Sequence, residues 1–391
     1  MKFYESQSYK KVCQTTVTFC KKEGDKITLK LADSIFFPEG GGQHADTGWL
    51  IVDDKKIRLL DGQLAEGQPV YQVEEELPVG TKVKCVLDWE QRYMRMQQHS
   101  GEHIIMGVIH NKYGLENMGF HLSDTQPVTL VLNGSLTKEQ IREIEIMANE
   151  IVYANLPVIA TFPTNEELKT NSYRSKMEIT GQVRIITIGN EEQKVDVCAC
   201  CAPHVARTGE VGLVKVVSVE NYKGGVRIGI LCGKRAFLHY DEQQSLMNEI
   251  SHQLSTPSNQ VSKIIQNQRK EIFELRNKLG ELVEKDLFIQ IKNLNMQEHV
   301  CIFTEESLSI GIIKNVYNTM TKKFLGYVGV FMGNDEDGYR YCAGSKNLDS
   351  RELIKKMREV FATQGGGNKE MVQGKVKACK SEIQKFFEEI E

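Results

Sequence analysis

The chain has 391 residues, 40% hydrophobic and 26% charged, with a formal net charge of -3. This is the composition of a soluble globular protein of two or three domains, and with no run of about 18 apolar residues it excludes a membrane-spanning helix and a global basic field for nucleic acid. Ten cysteines without a compact framework follow an N-terminus, MKFYESQSYKK, that lacks the apolar stretch of a signal peptide, so they read as reduced thiols in the cytoplasm.

Residues 1–87 read as short strands. TTVTFC and KITLKL are β-rich around a turn at Lys21–Asp25, and WLIV, KIRLL, VYQVEE and KVKCVLD follow with glycine-rich turns. Strands at this spacing predict a small barrel or sandwich. Between them lies FFPEGGGQHADTG, where Pro38 and Gly40, Gly41 and Gly42 interrupt regular structure. Three glycines let backbone amides approach a ligand and Gln43 adds a directional amide, although a plain β-turn explains GGG alone.

Asp88 with Gln91 suggests a capping box for a helix running to about Tyr113 and ended by Gly114. It carries His99 and His103 at i, i+4, one face, beside an apolar face of Ile104, Ile105, Val108 and Ile109. A strand is expected over 126–134, and a helix over Thr137–Ala154 with Thr137 and Gln140 as its capping box. Thr164 and Glu167 suit the cap of a short helix, VRIITIG a strand, and LVKVVSVE with VRIGILCG a hairpin across NYKGG. Helices and antiparallel strands in this order predict an α+β core.

From about Ala236 to Phe288, Val261, Ile265, Gln268, Ile272, Leu275, Leu279 and Leu282 recur with 4-3 spacing. This is a coiled-coil seam in a helical arm or hairpin, or else a buried helix pair. The last hundred residues suggest an α/β unit: strands HVCIFTEE and GYVGVFMG, a hairpin to YRYCAGS, a helix from about Arg351, then Gly365, Gly366 and Gly367 before a basic helical tail. A glycine turn at a helix start can bind an anion.

The chemistry concentrates in DVCACCAPHVARTGEVG, residues 196–212, where Cys198, Cys200, Cys201 and His204 crowd together. A cysteine and His204 brought against His99 and His103 make a soft N/S site suited to zinc. Two rivals share these residues. Cys198 and Cys201 form a CxxC redox pattern, but strands follow it where a helix is needed. His99-Ser-Gly-Glu102-His103 satisfies the HxxEH signature of a zinc protease, with Glu102 as base, which leaves the Cys/His cluster without a role.

FFPEGGGQHADTG resembles the glycine-rich signature of alanyl-tRNA editing domains, HSGEH their HxxxH motif, and CCAPHVARTGEVG their CxGxHV-x-x-TGxIG stretch. NYKGGVRIGILCGKRAF is similar to the strand pair that follows it. GGGNKEMVQGKV resembles the DHH-associated domain that ends alanyl-tRNA synthetases and the longer AlaX proteins. The chain departs from the pattern at Cys201, Ala202 and Pro203. The resemblance selects Cys200 as the cysteine ligand beside His99, His103 and His204, leaving Cys198 and Cys201 to packing. It implies residues 1–87 as a β-barrel-like domain with the GGGQ loop, 88–235 as a zinc-binding editing core, 236–290 as a helical arm and 291–391 as a DHH-associated α/β domain. It also implies a free-standing, zinc-containing deacylase that hydrolyses alanine tRNA mischarged with serine or glycine, with Gly40, Gly41, Gly42, Gln43 and Thr208 at the catalytic site. Arg92, Arg95, Lys223 and Arg227 are candidate phosphate contacts, and the arm or the C-terminal domain a homodimer contact. A zinc-stabilised RNA-binding scaffold without catalysis is the alternative.

Overall fold

The computed structural model describes residues 2–170, 172–175, 183–305 and 308–390, and forms two compact units, Met1–Met247 and Asn248–Glu391. Among the described residues no helix is long and apolar enough to cross a membrane.

The first unit opens with a short helix, α1 (Phe3–Ser6), and six strands: β1 (Val12–Glu23), β2 (Lys26–Leu31), β3 (Gly48–Val52), β4 (Lys55–Ala65), β5 (Gln68–Val73) and β6 (Lys82–Leu87). Every pairing is antiparallel, and β6 pairs with both β1 and β3, closing the expected barrel in the order β1-β2-β5-β4-β3-β6. Alternate residues such as Leu29, Leu50, Leu59, Tyr71 and Cys85 point inward and fill it, and closure leaves no bare edge.

Helix α2 (Trp89–Tyr113) leaves the barrel and is the axis of the rest of the unit; Gly114 ends it in the left-handed conformation, φ 65. The capping box expected at its start does not form. The Asp88 carboxylate accepts from Arg58 Nη2 at 2.5 Å and from Thr47 Oγ1, so it ties the helix to the barrel rather than to its own amides. A charge-assisted bond to a guanidinium outcompetes a bond to a backbone N–H.

Around α2 stand β7 (Asn117–His121), β8 (Val128–Leu132), α3 (Lys138–Tyr153), β9 (Val158–Thr161), α4 (Asn165–Thr170), β10 (Ile185–Gly189), β11 (Lys194–Ala199), β12 (Val214–Tyr222) and β13 (Gly225–Cys232). They form a β11-β10-β9 sheet and a β12-β13-β8-β7 sheet. Thr137 and Gln140 make the expected capping box on α3. Two glycines let α2 press against both sheets: a Cβ on Gly107 would lie 2.3 Å from the Val195 carbonyl oxygen, and one on Gly101 2.3 Å from Cys232 Sγ. Helix α2 is therefore buried along its middle, with Ile104, Ile105, Met106 and Ile109 in the core. Helix α5 (Gly233–Gln253) follows β13.

The second unit contains α6 (Val261–Asn293), β14 (Val300–Thr304), α7 (Ile310–Lys323), β15 (Val328–Asn334), β16 (Gly338–Gly344), α8 (Ser350–Val360), β17 (Ala362–Gly367), β18 (Met371–Lys377) and α9 (Lys380–Glu389). Glu306, at the end of the expected HVCIFTEE strand, lies outside the described residues. The sheet runs β14-β15-β16-β18-β17, parallel only between β14 and β15. One face packs on α6 and α7 through Leu287, Val316 and Met320, the other on α8 and α9 through Leu353, Met357 and Phe387.

Three sequence expectations fail here. Gly365, Gly366 and Gly367 are not a turn before a helix; they lie in β17 against Gly374, Gln373 and Val372. Nor is the tail basic, since α9 sets Lys380 and Lys385 against Glu382, Glu388 and Glu389. The α6 stripe is not a buried pair either. Ile265, Ile272, Leu275, Leu279 and Leu282 are 38–62% exposed.

Candidate metal centre

His99, His103, Cys200 and His204 converge, with one donor atom from each lying within 4.8 Å of the others. The two histidines come from successive turns of α2; the other two residues come from the loop after β11. Cys200 Sγ lies 3.5 Å from His99 Nε2 and 3.3 Å from His204 Nε2. Two ligand atoms of one tetrahedral zinc lie about 3.3–3.6 Å apart, given bonds of about 2.0–2.1 Å to nitrogen and 2.3 Å to sulfur. His103 Nε2 is buried with no hydrogen-bond partner among the described residues. An orphaned imidazole nitrogen, facing a thiol and two imidazoles already spaced as ligands, fits a metal ion, and this donor set favours zinc.

Each imidazole is oriented through its other nitrogen. His103 Nδ1 is 2.7 Å from Asp196 Oδ2, His99 Nδ1 3.0 Å from Gln43 Oε1, and His204 Nδ1 3.0 Å from Ser100 Oγ. Asp196 is itself held by Arg174, whose Nε and Nη2 donate at 2.8 and 2.7 Å. Such partners fix the tautomer and turn Nε2 towards the centre of the cluster, as metal-ligating imidazoles require. Electrostatics follow the same plan. Burial opposes ionisation of the Cys200 thiol, but the surrounding imidazoles of His99, His204 and His103 outweigh it and hold the thiol well below its usual range. Burial first, with smaller contributions from His103 and His99, outweighs the pull of Cys200 and pushes His204 down to about 3, so its ring is neutral. For His103 burial is outweighed by Asp196 and the nearby thiols, and its pKa rises, so a metal binding there displaces a proton.

The GGGQ loop reaches this centre in an unexpected way. Gly40 and Gln43 exchange backbone bonds, N to O at 3.1 and 3.0 Å, so the Gly40 amide is engaged within the turn. Among the described residues no backbone bond engages the Gly41 or the Gly42 amide. Gly42 sits at φ 78, and a Cβ there would meet Phe120 Cδ1 at 2.7 Å. Gln43 is fully buried; its Oε1 faces His99, and its Nε2 has no partner.

Two of the expected phosphate contacts are instead anchors of this loop. Arg92 is fully buried, its Nε donating to both Asp46 oxygens at 3.0 and 2.9 Å and its Nη2 to Ile35 O at 2.6 Å. Asp46 Oδ2 in turn accepts from the Phe37 amide at 2.6 Å, closing the loop's base. Arg95 is buried as well, bonding Asp124 and the Ala45 carbonyl. Arg92, Arg95, His99 and His103 follow one another at spacings of three and four residues, so one face of α2 carries both the loop anchors and the histidines. Lys223 and Arg227 do reach the surface, at the β12–β13 turn, where Arg227 stacks on Tyr222 at 3.7 Å.

The remaining candidates divide. Thr208 is buried, and its hydroxyl donates to Ile151 O and accepts from the Leu156 amide, both at 2.8 Å, so it fastens the loop to α3. Glu102, the base of the HxxEH alternative, is fully buried; Asn117 Nδ2 donates to it at 3.0 Å and His103 Nε2 lies 3.9 Å away. Cys198 is buried near Asp196 and His103, while Cys201 is exposed, its Sγ beside Gly40 and Gly41. Asp196, Ser100 and Arg174 were missed by sequence reasoning. Strand alternation was the available signal for Asp196, which shares a face of β11 with Cys198.

If the orienting contacts matter, Asp196→Asn and Gln43→Ala should leave the fold intact and weaken metal binding by roughly 10- to 100-fold, as read by competition with a chromogenic chelator. Unchanged affinity in both would separate these residues from the centre.

Residues 183–228, which include Asp196, Cys200, His204 and Thr208, match the family described as threonyl and alanyl tRNA synthetase second additional domain. The chain is 28% identical to the alanyl-tRNA editing protein AlaX-L of Pyrococcus horikoshii, over 97% of its own length and 95% of that protein's. It is 27% identical to the alanine–tRNA ligase of Archaeoglobus fulgidus and 29% to that of Pyrococcus furiosus, covering 90% and 95% of itself but only 40% and 42% of those ligases.

Proposed function

We propose that this chain, which resembles an alanyl-tRNA editing protein along nearly its whole length, is a deacylase that hydrolyses the aminoacyl ester of alanine tRNA mischarged with serine or glycine. The observation that carries this reading is the meeting of the GGGQ loop with the His99, His103, Cys200 and His204 cluster through the Gln43–His99 contact. A metal-stabilised scaffold has no need for a loop with free amide donors against its metal ligands.

His99, His103, Cys200 and His204 would hold zinc. When bound, zinc supplies a Lewis acid that polarises an oxygen of the substrate or of water. The protein groups do the rest. Gln43 orients His99 with its oxygen and retains Nε2 as a donor, and the Gly41 and Gly42 amides are further donors for the ester carbonyl or the terminal ribose. Lys223 and Arg227 offer charge to tRNA phosphates, which position the substrate without reading bases. Incubation of the full chain with seryl-, glycyl- and alanyl-tRNA of the alanine acceptor tests the reading: the first two should lose their amino acid and the correctly charged species should survive. Equal hydrolysis of all three would remove editing from the account.

The second reading, a zinc-stabilised RNA-binding protein without catalysis, is favoured by the four-donor set, since closed zinc sites are usually structural. It predicts tRNA binding with no release of any amino acid. Under either reading the bare stripe of α6 is best explained by a second copy of this chain. The wild type should sediment as a dimer, and the Leu275→Asp, Leu279→Asp double variant as a monomer; a monomeric wild type at micromolar concentration ends this idea.

A further inference from the structure

Helix α7 covers only half of its face of the C-terminal sheet. Ladder pairing sets Met332 beside Arg340, Arg340 beside Lys375 and Lys375 beside Gln364; the next row is Val330, Cys342, Gln373 and Gly366. Paired residues share a face. Val330, Met332 and Cys342 are buried under α7 with Val316 and Met320, whereas Arg340, Lys375, Gln373 and Gln364 are exposed. The step between α7 and the bare strands holds a recess of about 530 Å³, walled by Ile310, Ile313 and Lys314 of the helix.

The recess is chemically one-sided. Its charged lining residues are Lys314, Arg340 and Lys375, and no carboxylate lines it. Among the described residues none of the three is in an ion pair or a hydrogen bond. Lys323 nearby in sequence shows the usual alternative, its ammonium held by the Ile291, Lys292 and Leu294 carbonyls. Three unpaired cations around one recess repel one another, and an anion relieves that repulsion. The adjoining cavity of 760 Å³ shares Arg340 and Lys375 but also contains Glu305 and Asp337, so it lacks this character. Beside the cations stand an apolar wall of Ile310, Ile313, Met332 and Met371 and the amides of Gln364 and Gln373. Cations for a phosphate, an apolar wall for a planar base and amides for its edge are the parts of a nucleotide site, and the volume is that of a small-ligand pocket.

We propose that this recess between α7 and strands β16, β18 and β17 binds a phosphate-bearing ligand of mononucleotide size. The proposal is independent of the editing reading. Calorimetric titration of the full chain with AMP should show binding, and adenosine should bind at least about tenfold more weakly for want of the phosphate. Lys375→Glu and Arg340→Glu, both at exposed positions, should each weaken AMP by roughly tenfold or more without lowering the unfolding temperature. Lys355→Glu, on α8 at the opposite face, should change nothing. Absence of AMP binding to the wild type, equal binding of adenosine, or indifference to both substitutions would overturn the proposal. If the two variants weaken tRNA while the wild type binds no AMP, the face is an RNA contact and the small-ligand assignment is wrong.

Discussion

The Cys200→Ala and His103→Ala proteins should each carry less than about a tenth of the zinc of the wild type, which should hold about one ion per chain. The expectation rests on Cys200 Sγ, the atom that both His99 Nε2 and His204 Nε2 approach, and on His103 Nε2, buried without another partner. Removing either leaves at most three donors and a buried polar remnant. Cys198→Ser and Cys201→Ser should retain the metal, because Cys198 turns its thiol towards Ala199 O and Cys201 lies against the glycine loop. Elemental analysis of the four purified variants decides the matter. Full retention in Cys200→Ala, or loss in Cys201→Ser alone, would reassign the ligand.

The second large effect is on stability. Arg92→Ala should cost about 3–5 kcal/mol, because it strands the fully buried Asp46 carboxylate without its charge partner. Arg227→Ala, at a half-buried position near the hairpin turn, should fall nearer about 0.5 kcal/mol, though some loss of stacking on Tyr222 adds to that. Urea denaturation of both variants checks the contrast. Replacing Arg92 and Asp46 together by Met and Leu should recover much of the loss, since the cost lies in the unpaired charge more than in the missing attraction. A cost below about 1 kcal/mol for Arg92→Ala would mean that the loop is not anchored there.

The parts of this fold that were legible in the sequence are those governed by local spacing. Alternation in KITLKL and KVKCVLD fixes which residues enter the barrel, and the i, i+4 pair His99 and His103 fixes a helix face. What was illegible depends on partners distant in sequence. Asp88 has the local signature of a capping residue, yet Arg58 sits beside it in space and takes its carboxylate. Arg92 and Arg95 look like ordinary surface charges one at a time. Their shared helix face with His99 and His103 was available as a signal, but their burial came only with Asp46 and Asp124 brought against them. Gln43 was read as a substrate donor, whereas half of its amide is engaged on His99. The glycines at 365–367 misled because a glycine run has the same composition in a turn and in an edge strand.

The most direct test of the editing centre is a single-turnover measurement of serine release from seryl-tRNA of the alanine acceptor, with wild type and Cys200→Ala compared at equal tRNA occupancy. The account predicts rapid release by the wild type and loss of at least about a hundredfold in the variant, with tRNA affinity little changed because phosphate contacts elsewhere carry most of it. Equal rates for the two proteins, or no release by a wild type that binds tRNA, would contradict it.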